Sequence, residues 1–294
     1  MSTSRRADRL AAGAMLAPSV IGVGGFLLVP IALVFACSLA NWNLIGEASW
    51  AGLDNYSAVL SSGPFLDSLE VTALFSLMAI PAAIAIGFLI ALGLNTRLPG
   101  TRVLQVLYVL PWVCAPLTVG VVWKWLLDPS TGLAVEILGR RVEWMSDPRL
   151  ALAAVAFVYV WQNTGYISMF FLAGLQSIPP DIVQAARLDG AGPARLAWSI
   201  YLPLLRPTTF FVLVTSLISS FQAFDLVYAL TGGHPGYPGG STNVVAAQIY
   251  STAFSGSNDI GRASAMAVVL LAIVVAITIL QQRYFAKRTV YELA

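Results

Sequence analysis

A chain of 294 residues with 58% apolar and only 10% charged side chains cannot cover its surface with polar groups in water. A mean hydropathy of +0.79 places it in a bilayer. A formal net charge of +2 without any basic block excludes a nucleic-acid binder. The cysteines Cys37 and Cys114 lie in apolar runs and read as small core residues, not a disulfide. His234 is the single histidine, so a histidine-rich metal site is not available, and an intramembrane enzyme is hard to build.

Crossing about 30 Å of hydrocarbon takes roughly 20 helical residues. Six runs meet that length, at about 10–39, 69–94, 103–127, 150–175, 208–230 and 263–282, which predicts a single all-α membrane domain over 1–294 with both termini on one side. The first run follows Arg5, Arg6 and Arg9, and Ser38-Leu39-Ala40 offers a small-x-small site beside Cys37, a poor lipoprotein box. It is too long for the roughly 7–15-residue core of a cleaved signal, so an uncleaved first helix is expected.

Basic residues near the span ends fix the expected orientation. Arg5, Arg6, Arg9, Arg97, Arg102, Arg187, Arg195, Arg206, Arg283, Lys287 and Arg288 gather on one side. Lys124, Arg140, Arg141, Arg149 and Arg262 fall on the other, with most of the acidic residues. The termini are therefore expected in the cytoplasm, together with a polar segment at about 178–207. Outer segments remain near 40–68, 128–149 and 231–262, the last a flexible loop by its Gly and Pro content.

The segment 178–207 stands out in so apolar a chain. Pro179-Pro180 stops the fourth span, and Asp181 can cap a short helix reaching about Leu188. Asp189-Gly190 is a turn pair in which Gly190 can take the left-handed conformation. A second short helix runs from Ala194 to Tyr201, closed by Leu202-Pro203, and Trp198, Ile200 and Leu202 offer an apolar face to the protein's own helix ends. Ala185 and Ala186 would let another surface approach the backbone. Physical chemistry alone leaves a partner-docking loop and a helix lying on the membrane equally open.

Polar groups on one face of a span indicate a wet path or helix-to-helix contact. The fourth span carries Tyr159, Gln162, Asn163 and Tyr166 at i, i+3, i+4, i+7, and the fifth carries Ser216, Ser219 and Ser220 at i, i+3, i+4. Apart from Glu70 at the very start of the second run, Asp225 is the one carboxylate inside a predicted span, suited to a structural hydrogen bond or to the titrating group of an ion-coupled carrier. No cation lies in mid-span, which favours a neutral solute over an anionic one. Neither Lys124 nor Lys287 follows the glycine that a P-loop requires, so ATP is not bound by that route.

The 184–207 segment resembles the cytoplasmic signature loop of permease subunits of ATP-binding-cassette (ABC) importers. That pattern is Glu-Ala-Ala, two residues, Asp-Gly-Ala, then Ile-x-Leu-Pro and a later Pro. Here it stands as Gln184-Ala185-Ala186, Asp189-Gly190-Ala191, Ile200-Tyr201-Leu202-Pro203 and Pro207. Gly52-Leu53-Asp54-Asn55-Tyr56, Gly174-Leu175-Gln176-Ser177-Ile178-Pro179 and the run from Phe224 to Gly233 are similar to the maltose-type branch. The likeness implies a coupling loop in which Gln184, Ala185, Ala186, Asp189, Gly190, Ala191 and Pro203 meet an ATPase. Gln184 replaces the usual Glu, which turns a charge-assisted contact into a neutral one roughly half as strong. It implies sugar contacts at Tyr159, Gln162, Asn163, Tyr166, Ser216 and Ser220, counted without gaps from the loop, beside Ser219 on the same stripe.

The implied protein is a multi-pass permease subunit of a sugar importer in a bacterial plasma membrane. Its implied partners are a second homologous permease, two ATPase subunits that hold ATP and Mg, and an external sugar-binding protein. This chain itself binds no cofactor. The alternatives are an ion-coupled secondary carrier using Asp225 and a membrane scaffold that transports nothing.

Overall fold

The computed structural model describes residues 14–96, 100–255 and 258–286. Arg5, Arg6, Arg9, Arg97, Lys287 and Arg288 lie outside the described residues. The chain divides into two compact units, 1–62 with 249–271 and 63–248 with 272–294.

In the first unit, helix α1 (Ala14–Ser38) has a peak window hydropathy of 2.6 with none of that window buried. A helix apolar on every side and uncovered by protein is one that lipid solvates. Strands β1 (Ala40–Asn41) and β2 (Ser49–Trp50) form a short antiparallel pair, followed by α2 (Asp54–Leu60). Asn55 explains why this junction is ordered. Its Nδ2 donates to the carbonyl of Ser38 (3.1 Å), one of those the end of α1 leaves unpaired, and to that of Ala40 in β1 (3.0 Å). Tyr56 adds a 2.6 Å hydroxyl contact to Ser38 Oγ.

The second unit is built on α3 (Gly63–Leu94) and α7 (Pro148–Ser177). Two-thirds (67%) of α7's apolar window is buried, against 39% for α3, so α7 is the central helix of this unit. Asp147 caps α7 by accepting the Arg149 N–H at 2.9 Å, and Pro148 occupies its first turn, where no N–H is needed. α3 crosses α7 closely because Gly87 has no side chain to strike Ile167. Edge-on ring pairs flank that crossing, Phe75–Tyr159 at 5.2 Å and Phe88–Phe171 at 5.5 Å between centroids.

Between these helices the chain runs through α4 (Thr101–Val113), α5 (Pro116–Leu126) and the short α6 (Leu133–Leu138). After α7 come α8 (Pro180–Leu188), α9 (Pro193–Leu204), α10 (Arg206–Phe221), α11 (Asp225–Leu230), α12 (Val245–Phe254) and α13 (Ile260–Ala286). α4 packs on α7 where Gly165 lies against the Tyr108 carbonyl. A Cβ there would collide with that backbone oxygen.

Six unbroken spans were expected. Among the described residues there are four helices long and apolar enough to cross a membrane, or up to six when each of two bent pairs counts as one span. The run 103–127 is not one helix: α4 and α5 meet at 96°. Pro116 lacks an N–H and drives Ala115 into an extended conformation (ψ 132°), as does Cys114 before it (ψ 140°). The run 208–230 is likewise interrupted. α10 ends at Phe221, Gln222–Phe224 are non-helical, and α11 restarts at Asp225. Asp225 is thus not inside a span. Upstream, α9 and α10 meet at 73°.

In the 178–207 segment the N-cap of α8 is Pro179, without any side-chain cap, so Asp181 acts only as a first-turn charge on the helix dipole. The second helix runs past the expected stop to Leu204, because a π-helical turn (Leu196–Tyr201) widens the coil just before Pro203. The Gly-rich stretch after α11 is a series of tight turns. Gly233 N–H donates to the Tyr228 carbonyl (2.8 Å) and Thr242 Oγ1 to the Tyr237 carbonyl (2.7 Å), while Val245 N–H is anchored on Thr72 Oγ1 (2.8 Å).

Candidate functional site

Both helix interruptions open onto one cavity of about 230 Å³. α7 supplies Tyr159, Gln162 and Asn163, α10 supplies Ser219, and the two interruptions supply Trp112, Pro116, Gln222 and Asp225. The backbone freed at the α4–α5 break is satisfied from α7: Gln162 Nε2 donates to the Cys114 carbonyl at 3.2 Å. A buried carbonyl without that partner would cost about 1–3 kcal/mol. Gln162 is buried and already engaged, so its Oε1 is the atom left for a ligand. Asn163 donates through Nδ2 to the Tyr159 carbonyl one turn back (2.9 Å), which leaves its Oδ1 and second N–H for the cavity.

Four of the seven sequence-derived substrate residues therefore meet in one space: Tyr159, Gln162, Asn163 and Ser219. The other three are placed elsewhere. Tyr166 stacks on Trp112 (4.4 Å, 14° between planes) and edges onto Phe170 (4.7 Å). Ser220 is fully buried and pairs with Ser76 Oγ of α3 at 2.9 Å, and Ser216 is buried in the same helix. Sequence reasoning missed Trp112 and Gln222 and gave Asp225 a different setting. Gln222 extends the serine spacing from Ser219 by one turn, and Trp112 sits between Pro111 and Pro116, a pair that marks a helix break. None of the cavity's described lining residues is basic.

The 178–207 segment presents a different surface. Gln184, Ala185, Asp189, Gly190 and Pro203 are exposed, and Ala186 and Ala191 half-buried. α8 ends in a hydrogen-bonded reversal: Ala191 N–H reaches the Ala186 carbonyl (2.9 Å) and Gly190 N–H the Arg187 carbonyl (3.0 Å). Gly190 adopts φ +78°, the left-handed conformation this reversal needs, with no atom of the chain within 4 Å of where a Cβ would stand. The apolar side of α9 is wider than expected. Leu196 and Ala197 are buried with Leu205, Leu202 packs half-buried on the same cluster, and Trp198, though 63% exposed, meets Phe88 of α3 edge-on at 6.4 Å. Leu188 at the tip is 88% exposed, an apolar side chain in water unless something covers it.

A family model for the "binding-protein-dependent transport system inner membrane component" matches residues 55–291. The chain is 34% identical over 283 residues to the sn-glycerol-3-phosphate transport system permease protein of Agrobacterium fabrum, covering 94% of this chain and 95% of that protein. It is 31% identical over 277 residues to the sulfoquinovosyl glycerol transport system permease protein of the same organism, covering 92% and 89%. Its fold matches a chain of a bacterial ABC transporter involved in the import of the acidic polysaccharide alginate. The TM-score there is 0.83 at 22% identity, over 99% of this chain and 100% of that one. The chain belongs to the inner-membrane components of binding-protein-dependent transport systems, as a permease subunit of a bacterial ABC importer.

Proposed function

We propose that this permease carries a neutral, polyhydroxylated solute of the carbohydrate class through the cavity onto which the α4–α5 and α10–α11 interruptions open. The observation that carries the reading is the cavity's lining: amides (Gln162, Asn163, Gln222), hydroxyls (Tyr159, Ser219) and the Trp112 ring. Amides and hydroxyls match sugar hydroxyls, and aromatic faces match sugar C–H faces. The proteins it resembles belong to transport systems for sn-glycerol-3-phosphate, for sulfoquinovosyl glycerol and, in the solved structure, for an acidic polysaccharide. With Asp225 in the lining and no cation beside it, an anion would be repelled here.

As a family member the chain is a multi-pass protein of the bacterial inner membrane that binds no cofactor. It works with an ABC ATPase, where ATP is bound, and a periplasmic binding protein. We further infer a second, homologous permease, two ATPase subunits docked on the cytoplasmic loops of the pair (178–207 in this chain), and cytoplasmic termini, the last from the arginine distribution. Closure of the ATPase dimer on ATP would move the docked loop and tilt the spans behind it, opening the cavity to one side and then the other. Broken helices suit this task, because unwound backbone is tolerated within a membrane only where protein or a wet cavity satisfies it. ATP-driven transport replaces the ion-coupled reading, and Asp225, exposed at a helix start, becomes a lining group of the path.

Mass spectrometry of the ligand that co-purifies with the cognate binding protein tests the substrate class. A neutral sugar or polyol is expected. A phosphorylated or sulfonated ligand would reject the neutral reading while leaving the permease assignment intact.

A further inference from the structure

Between the loop helix α8 and the spans behind it lies a cavity of about 960 Å³ that shares no lining residue with the cavity around Gln162 and Asn163. Asn95 at the end of α3, Arg102 and Gln105 in the first turns of α4, Gln184 and Arg187 on α8, and Tyr201 of α9 all face it. A second cavity of about 850 Å³ shares Asn95, Arg187 and Tyr201, so Arg187 stands between two open volumes. All of these residues belong to the second unit.

The charge balance of this cleft is one-sided. Two guanidiniums face it and, among the described residues, no carboxylate lines either cavity, although Asp181 and Asp189 belong to the same loop. Among the described residues the one ion pair is Arg262–Asp259, in the other unit, so neither Arg102 nor Arg187 has a carboxylate partner there. Arg102 and Arg187 are both exposed, and two like charges facing one open cleft raise a positive potential there that favours an anion between them. The amides of Asn95, Gln105 and Gln184 and the Tyr201 hydroxyl add neutral donors around the two forks. The cleft also lies at the C-terminal ends of the long apolar helices α3 and α7, and a helix of that length crossing hydrocarbon would bring its end to the headgroups.

We propose that this cleft binds a phosphate-type anion, held between Arg102 and Arg187. The phosphate of an anionic lipid headgroup and free inorganic phosphate present the same chemistry: tetrahedral oxygens that a guanidinium engages two at a time. Arg187 also lies on the helix proposed to dock the ATPase, whereas Arg102 does not, so Arg102 carries the test. The proposal uses the family assignment only to define the complex to be purified and is independent of the solute carried.

The intact importer complex is purified and placed in nanodiscs of phosphatidylcholine alone or with phosphatidylglycerol. Native mass spectrometry counts the phosphatidylglycerol retained. In the phosphatidylcholine arm, inorganic phosphate is titrated against thermal unfolding. Wild type is expected to retain phosphatidylglycerol, which identifies the lipid source, or to gain thermal stability with phosphate, which identifies the free anion. Arg102→Gln should weaken whichever response is seen by about tenfold. If that variant fails to assemble, Arg102→Lys carries the same comparison, because an ammonium lacks the two-pronged fork and should bind more weakly than wild type. No response in either arm, or equal responses from wild type and an Arg102→Gln/Arg187→Gln double variant, overturns the site. Neither readout involves uptake, so failure of the solute reading and failure of this one are separable.

Discussion

Replacing Asn163 by leucine separates a transport cavity from a simple helix contact. Asn163 is half-buried on α7, and one of its N–H groups is committed to the Tyr159 carbonyl at 2.9 Å. The intrahelical bond is local, and its loss leaves a carbonyl that already serves the helix, so the fold should tolerate the change. The cavity loses Oδ1 and the second N–H, one or two hydrogen bonds to a bound solute. At about 0.5–1.5 kcal/mol each, and with tenfold per 1.4 kcal/mol, uptake at low substrate should fall roughly tenfold. Basal ATP hydrolysis should persist, because the 178–207 segment is untouched. The assay is uptake per assembled complex, with the cognate binding protein loaded and complex yield measured in parallel. A ratio to wild type near one would refute the binding role. A loss of yield matching the loss of uptake would show that Asn163 only packs α7.

Further outcomes follow from the same geometry. Ser220→Ala breaks the buried pair with Ser76 and should cost about 1 kcal/mol of stability, seen as a lower unfolding temperature, with uptake per complex unchanged. A fall in uptake per complex would instead put Ser220 on the path. Gly190→Val strains the left-handed turn at φ +78° and should leave the subunit in the membrane while abolishing co-purification of the ATPase. Normal ATPase recovery would remove the coupling assignment. With Cys37 and Cys114 replaced, a cysteine at Ala194 should react with membrane-impermeant maleimide only in inside-out vesicles, and one at Ser241 only from outside. The opposite labelling would invert the orientation.

Hydropathy made the helix lengths legible but not the backbone within them. The expected span 150–175 became α7 (Pro148–Ser177), because an uninterrupted apolar run with Pro148 at its start and Pro179-Pro180 after it has only one solution. The run 103–127 is as apolar, yet Pro116 breaks it. A sliding average weighs proline by its apolarity and not by its missing N–H. The stretch 208–230 hid its break for the same reason, since Gln222 is a single polar residue among apolar neighbours.

The candidate site was half legible, and helix geometry explains the division. Tyr159, Gln162 and Asn163 share both a face and a level on α7. Tyr166 shares the face but lies seven residues on, about 10 Å along the axis, beyond the cavity. Ser219 and Ser220 are adjacent in sequence and about 100° apart around α10, so one looks into the cavity and the other onto α3. Spacing alone could not say which side of the serine stripe was wet. In the loop, Gly190 was legible because its conformation is a local matter. The burial of Leu196 and Ala197 was not, because the π turn shifts the register of the helix.

The central claim is that ATP hydrolysed by a partner drives a neutral carbohydrate through this subunit. Reconstituting the full complex in proteoliposomes, with the binding protein and its co-purified ligand on one side and ATP on the other, measures it directly. Accumulation of that ligand above its external concentration, dependent on ATP and reduced by Asn163→Leu, is the predicted result. Accumulation without ATP, driven by an imposed proton gradient, would contradict the account.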